Sequence, residues 1–246
     1  MSIKPNQKEF GLSFVVFQRD AGEDFFETLS TLRVALQEFD HFPYEILGVD
    51  DFSLVPPAYE RSHQLTSHML FLKENVGICG AIIKGAEIAR YEMLLAVPGT
   101  NMYDVVAYRR IVAELMRHRE NFFILGVRNN LFAERPILKY ISSKILLGTF
   151  KLLTQNFSLK DIHGLSCFRT EDILKYLPIH GRHGGQMQML ATILRINQKL
   201  IEVQTPIKHG HKKRKSATKR DSRPTIRGIV NAGIGVYRSW KISRRF

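Results

Sequence analysis

Short apolar runs alternate with helical stripes through the first half of the chain. Leu12 to Phe17 is apolar but for Ser13 and predicts a buried strand. From Glu23 to Phe39 the residues Phe25, Phe26, Leu29, Leu32, Leu36 and Phe39 recur at helical steps. Tyr44 to Val49 predicts a second strand. Pro57 to Leu65, set off by Pro56, predicts a short helix or loop, and Met69 to Leu72 a third strand. The rhythm continues with a helix over Gly77 to Arg90 and a strand over Met93 to Val97, stopped by Pro98 and Gly99. A helix over Tyr103 to Arg119 and a strand over Asn121 to Val127 follow. Beyond this point the pattern changes. Pro136 to Phe157 reads as a long, rather apolar helical region, and Asp161 to Arg169 as a loop running into a short strand. Glu171 to Tyr176 predicts a short helix. Gly185 to Gln198 predicts another, with Met187, Leu190, Ile193 and Leu194 facing in, before a last strand over Leu200 to Gln204.

Strands alternating with helices argue for an α/β fold with a parallel sheet covered on both faces. In such a sheet the loops after the strands gather on one edge, where ligands bind. Those loops are Gln18 to Asp24, Asp50 to Leu54, Lys73 to Gly77, Pro98 to Asn101 and Arg128 to Arg135. The length of 246 residues fits one large domain with an appendage. Charge marks the division. Residues 206–246 hold 13 Lys and Arg against the single acid Asp221, so they carry nearly all of the net +13. The expected organisation is a near-neutral domain over 1–205 and a basic extension over 206–246. The extension suits a polyanion such as ligand phosphates or an anionic lipid surface. Trp240, Tyr237 and the flanking Arg residues suit an interfacial segment. A nucleic-acid role has less support, because no aromatic platform is interleaved with the basic run Lys212 to Arg223. No apolar run of eighteen residues and no secretory leader are apparent, and Cys79 and Cys167 lack metal spacing. The expected setting is cytoplasmic, with peripheral contact at the inner face of the membrane.

The sharpest chemical signal is Gly48-Val49-Asp50-Asp51-Phe52-Ser53, a strand that ends on adjacent carboxylates. Like charges side by side repel, so such a pair calls for a partner: a base edge, a sugar hydroxyl or a metal. The plainer alternative is an acidic turn that caps a helix. Further on come Lys73-Glu74-Asn75-Val76-Gly77 and the small-residue stretch Gly80 to Ala86 containing Lys84. Asp161-Ile162-His163-Gly164-Leu165-Ser166-Cys167-Phe168-Arg169, Lys199 to Val203 with Pro206, and His209 to Ser216 complete the series. In this order and spacing, from about residue 10 to 220, these segments resemble the family-2 glycosyltransferases, nucleotide-sugar enzymes of the GT-A fold. The match extends to the polyprenyl-phosphate sugar transferases among them.

The resemblance implies a GT-A-like, Rossmann-type sheet with helices on both faces. It implies transfer of a sugar from a nucleotide-sugar donor to a polyprenyl phosphate or glycan, in cell-surface polysaccharide or glycolipid synthesis. It places Asp50, Asp51, Asn75, Gly77 and Lys84 at the nucleotide, and Pro98, Gly99, Thr100 and Asn101 at the diphosphate. Asp161 becomes the candidate base, and Arg169, Arg214 and Lys215 face acceptor or phosphate. One departure stands out. Where the family carries Asp-x-Asp to hold Mg²⁺ or Mn²⁺, this chain has Pro98-Gly99-Thr100-Asn101, and where Gly is common in the acidic motif it has Phe52. A hard dication prefers carboxylates to neutral oxygens. Three outcomes stay open. Asp50 or Asp51 helps hold a metal; basic residues such as Lys84, Arg128 or Lys212 to Lys215 replace it; or the chain is a nucleotide-binding relative without transfer activity.

Overall fold

The computed structural model describes residues 8–118, 122–128, 137–176, 185–195, 199–208 and 237. The elements run β1 (Glu9–Gln18), α1 (Glu23–Leu36), β2 (Tyr44–Asp50), α2 (Tyr59–Leu65), β3 (His68–Phe71), α3 (Gly77–Ile88), β4 (Tyr91–Pro98) and α4 (Val105–Arg117). Then follow β5 (Phe122–Val127), α5 (Ile137–Thr154), β6 (Ser166–Arg169), α6 (Thr170–Tyr176), α7 (Gly185–Arg195) and β7 (Lys199–Gln204). The stripe from Glu23 ends as α-helix at Leu36 and closes with a 3-10 turn over Gln37–Phe39. Helix α4 starts later than its apolar pattern because Asp104 caps it, accepting from the Ala107 N–H at 3.1 Å.

The seven strands form one sheet in the order β3-β2-β1-β4-β6-β5-β7. Strands β1, β2, β3 and β4 are mutually parallel, and β5 is parallel to β7. The all-parallel expectation fails at β6, which runs antiparallel to both β4 and β5. The loop before β6 starts at the ligand edge, so the strand can only run away from it. A four-residue strand shows no alternation that would reveal its direction.

Alternation along the central strands builds two cores. Leu12, Phe14 and Val16 of β1 and Met93, Leu95 and Val97 of β4 pack on one side with Phe25, Leu29 and Leu32 of α1 and Ile111, Val112 and Leu115 of α4. Val15, Leu94 and Ala96 face the other side with Ala81 and Ile82 of α3, Phe150 of α5, Ile173 of α6 and Leu190 of α7. Helices thus cover both faces, as expected for the α/β class. Of the residues expected to face in on α7, Leu190 and Ile193 are buried and Leu194 is partly buried, Met189 joins them in the core, and the side chain of Met187 lies outside the described residues. Cys79 and Cys167 are free, buried thiols, and burial pushes the Cys79 thiol up to about 12.

Two glycines test this packing in opposite directions. A Cβ at Gly164 would lie 1.6 Å from the Gly126 carbonyl oxygen, where the loop before β6 crosses β5. A Cβ at Gly148, exposed on α5, would meet nothing within 4 Å. Gly164→Ala is expected to destabilise by about 3 kcal/mol through forced backbone displacement. Gly148→Ala is expected to stabilise by about 0.5–1 kcal/mol through helix propensity. Urea unfolding of both variants reads the contrast.

Candidate active site

The C-terminal ends of β1, β2 and β4 converge at one edge, bound by short backbone links. Asp51 N–H donates to the Gln18 carbonyl at 2.9 Å, and Gly99 N–H donates to the Phe17 carbonyl at 2.8 Å. The acidic turn, the end of β1 and the loop after β4 are therefore neighbours. Gly99 has to be small: a Cβ there would approach the Gln18 Cβ to 2.9 Å and the Phe17 oxygen to 3.2 Å.

Both acids of the turn are buried, and each is compensated differently. Asp50 accepts from Gln18 Nε2, from the Ser53 hydroxyl and from the Ser53 N–H at 3.3 Å. Burial pushes its pKa above the ordinary carboxylate range, against the pull of the Ser53 hydrogen bonds, and the charges of Asp20 and Asp51 push the same way. Asp51 accepts from the Val76 N–H at 2.7 Å on one oxygen and from the Gly77 N–H at 3.0 Å on the other. These are orphan donors at the N-terminus of α3, where a carboxylate also meets the positive end of the helix dipole. The capping alternative thus describes a real bond, made to α3 across the edge rather than to α2. Asn75, half-buried, and Gly77, at φ +78°, form the turn that this bond holds against the acidic loop.

Backbone strain collects at the same edge. Asp20, Phe52 and Asn101 have φ of +55°, +58° and +50°, in the left-handed region, as does Gly22 at +58°. Among described non-glycine residues only Gln155 shares this feature elsewhere. Position 52 is where the family resemblance favours Gly, and its φ gives the reason: a Cβ is strained there. Strain of this kind clusters at ligand sites.

Beside Pro98 lies a cavity of about 200 Å³, lined among others by Phe17, Met102, Arg128, His163 and Met189. Arg128 follows β5 directly and is buried. Its Nε and Nη2 each donate to one oxygen of Asp161 at 2.7 Å, a forked ion pair. Asp161 also accepts from the N–H groups of Arg128, Ile162 and His163. Burial alone would raise its pKa, but the hydrogen bonds and charge of Arg128 outweigh that and hold it below the ordinary range. For Arg128, burial pulls downward and Asp161 more than restores it, so its pKa is raised. The expected base role for Asp161 does not fit this geometry. A saturated, acidified carboxylate takes up protons poorly, and Asp161 acts here by holding Arg128 in place.

Two other expected residues lie away from the edge. Lys84 is on the outer surface of α3, paired with Glu87 at 2.8 Å. Arg169 pairs with Glu92 and Glu171 and sits opposite Met93, because the antiparallel β6 carries it to the far edge of the sheet. Neither placement fits a nucleotide or acceptor contact. Arg214 and Lys215 lie outside the described residues.

The loop after β4 shows what a cation would meet. Thr100 is exposed and neutral. Asn101 donates from Nδ2 to Glu27, and its Oδ1 accepts from the ammonium of Lys208. Lys208 arrives after β7 on a segment whose Ile207 bridges to Tyr103 and whose own N–H donates to the Met102 carbonyl at 3.0 Å. With an ammonium on the one side-chain oxygen of Asn101 and both acids of the β2 turn already hydrogen-bonded, this donor set does not fit Mg²⁺ or Mn²⁺. Among the described residues no cluster of three or more His, Cys, Asp or Glu is arranged for a metal.

Sequence reasoning missed the Arg128–Asp161 pair and the Asn101–Lys208 contact. A lone charged residue directly after the apolar run of β5 was the available signal for the first; the second joins residues 107 positions apart and left none. Removing Asp161 strands a buried guanidinium, so Asp161→Asn is expected to lower stability at pH 7 by about 3–5 kcal/mol. The folded-state pKa of Asp161 lies below the unfolded one. The pair's contribution is therefore complete above the ordinary value of 3.8 and fades as pH falls through the folded value, so urea unfolding in acid should bring parent and variant together. Phe52→Gly, which relieves the left-handed strain at a half-exposed side chain, is expected to raise stability by about 0.5–1 kcal/mol in the same assay.

No protein-family profile and no curated protein sequence matches this chain. Its architecture does have solved counterparts. The structure of S. aureus TarS residues 1–349 is 16% identical at a TM-score of 0.52, over 80% of this chain and 60% of that one. A mycobacterial protein is 10% identical at a TM-score of 0.67, over 95% and 75%. The mannosyltransferase PcManGT from Pyrobaculum calidifontis, in complex with GDP-Man and Mn²⁺, is 11% identical at 0.55, over 96% and 61%. TarS 1–349 is also known in complex with UDP-GlcNAc. The chain spans 60% of that TarS fragment and 35% of a longer TarS structure. At such identities the likeness speaks for architecture, and in architecture the chain is a GT-A-like α/β protein.

Proposed function

We propose that this protein transfers a sugar from a nucleotide-sugar donor to a lipid-phosphate or glycan acceptor, with fixed protein cations in place of a divalent metal at the diphosphate. The observation that carries this reading is the union of the acidic turn with the Asn75–Gly77 turn and the Pro98–Asn101 loop at one strained edge. It is supported by solved relatives in architecture that hold GDP-Man and UDP-GlcNAc. In this reading Asp51 and Asn75 face the nucleoside, with Asp50 supporting the turn. The Pro98–Asn101 loop lies along the diphosphate.

The chemistry follows from charge. As the bond from the sugar C1 to the diphosphate oxygen breaks, that oxygen keeps the electron pair and gains negative charge. Stabilising this charge is usually the largest catalytic contribution. Arg128 is the cation best placed for it: always protonated, buried at the wall of the cavity beside Pro98, and held rigid by Asp161. An acceptor oxygen forms the new bond to C1. A sugar hydroxyl needs a base to remove its proton, whereas a phosphate is already ionised. Because the Asp161 carboxylate is committed to Arg128, a lipid-phosphate acceptor is the better match. The cell-surface polymer or glycolipid that such a product enters belongs to the same proposal.

Calorimetric titration with UDP and GDP, first in EDTA and then with Mn²⁺, tests the reading. One nucleotide is expected to bind, with affinity changed less than about threefold by the metal, and Asp51→Asn to weaken it by about tenfold or more. Lys84→Ala is expected to bind as the parent does. Absence of binding by either nucleotide would end the proposal. Metal-independent binding without turnover of any nucleotide sugar would favour the nucleotide-binding relative, a reading that the missing Asp-x-Asp also supports.

A further inference from the structure

Helix α5 carries an apolar face that nothing in the described protein covers. Ile137, Ile141, Ile145 and Leu152 are 63%, 48%, 65% and 70% exposed. Together with the open Gly148 they follow each other at three- and four-residue steps, which places them in one narrow stripe along the helix. The opposite side of α5 is the one that packs: Leu147 and Phe150 are buried in the core. Scattered exposed apolar residues are ordinary, but an aligned row of four is an interaction surface.

Charge selects the occupant. The sequence of α5, ILKYISSKILLGTFKLLT, holds Lys139, Lys144 and Lys151 and no acid. By helical geometry Lys144 and Lys151 fall along one margin of the stripe, next to Ile137. A second copy of the chain would bring the same basic margin against it. Residues 209–246 are strongly basic in sequence and would do likewise. An anionic bilayer offers what these two lack: an apolar phase for the isoleucines and leucine, and negative headgroups for the lysines. At 18 residues α5 is about 27 Å long. Among the described residues no helix is long and apolar enough to cross a membrane, so contact would be in the plane of the surface.

We propose that the outer face of α5 is a docking surface for an anionic lipid bilayer. Its position gives the contact a purpose. Tyr140, Ser143, Lys144 and Leu147 of the same helix line a small pocket with Arg128 and Asp161, so Lys144 stands at the rim between the pocket and the stripe. Docking through Ile141 and Ile145 therefore brings the wall of the candidate site down to the headgroup layer, where a lipid-phosphate acceptor would sit. The inference needs only the helix and its charge, and it stands or falls separately from nucleotide binding.

The test is co-sedimentation of the full chain with vesicles of phosphatidylcholine alone or mixed in roughly equal parts with phosphatidylglycerol, at low salt and at about 0.5 M NaCl, where surface charge is screened. The parent is expected to pellet with mixed vesicles. The variant Ile141→Ser, Ile145→Ser, Leu152→Ser is expected to lose about tenfold or more in partitioning at high salt, with each single change giving part of that loss. Lys144→Glu with Lys151→Glu is expected to lose binding mainly at low salt. All three substituted apolar side chains are exposed, so the variant should melt with the parent and still bind whichever of UDP and GDP the parent binds. Undiminished pelleting of the triple variant would overturn the proposal. So would a parent dimer, seen by light scattering, that the triple variant converts to monomer, since the stripe would then belong to a second copy.

Discussion

A carboxylate buried at the end of a strand has to be satisfied or protonated, and the whole candidate site is organised around how Asp51 is satisfied. Two amide hydrogens at the start of α3 bind its two oxygens. That single contact joins the tip of β2 to the turn that carries Asn75. The backbone links from Asp51 and Gly99 to the end of β1 bring in the loop after β4. The edge thus becomes one connected unit with several residues in left-handed conformations. Such conformations persist only where the surroundings over-determine them.

Much of this architecture was legible in the chain. The central strands carry apolar residues on both faces, so β1, β2 and β4 read directly as buried runs. Helices α1 and α4 show their apolar stripes because one side of each faces solvent. The direction of β6 was not legible, since direction is set by where the chain must start and end rather than by side-chain type. That one reversal explains why Arg169, placed by motif beside the acceptor, stands at the opposite edge with Glu92 and Glu171. Among the candidate residues, the placement of the acidic turn and of Gly77 at this edge follows from local sequence. The roles of Asp161 and Lys84 do not, because they are decided by partners: a buried arginine 33 positions away for one and a neighbouring glutamate for the other.

The absence of Asp-x-Asp takes on a physical meaning in this setting. The loop that would hold a dication in the resembling family is instead tied through the side chain of Asn101. Asn101 binds Glu27 of α1 and the ammonium of Lys208. In the cavity beside Pro98, Arg128 is anchored by a forked bond to Asp161. Positive charge fixed by covalent attachment is already oriented, and it cannot dissociate with its ligand as a metal ion can. A guanidinium has lower charge density than Mg²⁺ or Mn²⁺, so under the proposed function its burial, and the low dielectric that goes with it, would have to make up the difference.

Lys208 is among the first residues of the basic extension. Its side chain and its backbone both hold the segment after β4: the ammonium through Asn101, the amide through Met102. These two contacts are the described link between the chain after β7 and the turn containing Thr100. Linkage is reciprocal. If a ligand that tightens the Pro98–Asn101 loop changes how the residues after Lys208 bind a polyanion, the polyanion must change the affinity for that ligand by the same factor.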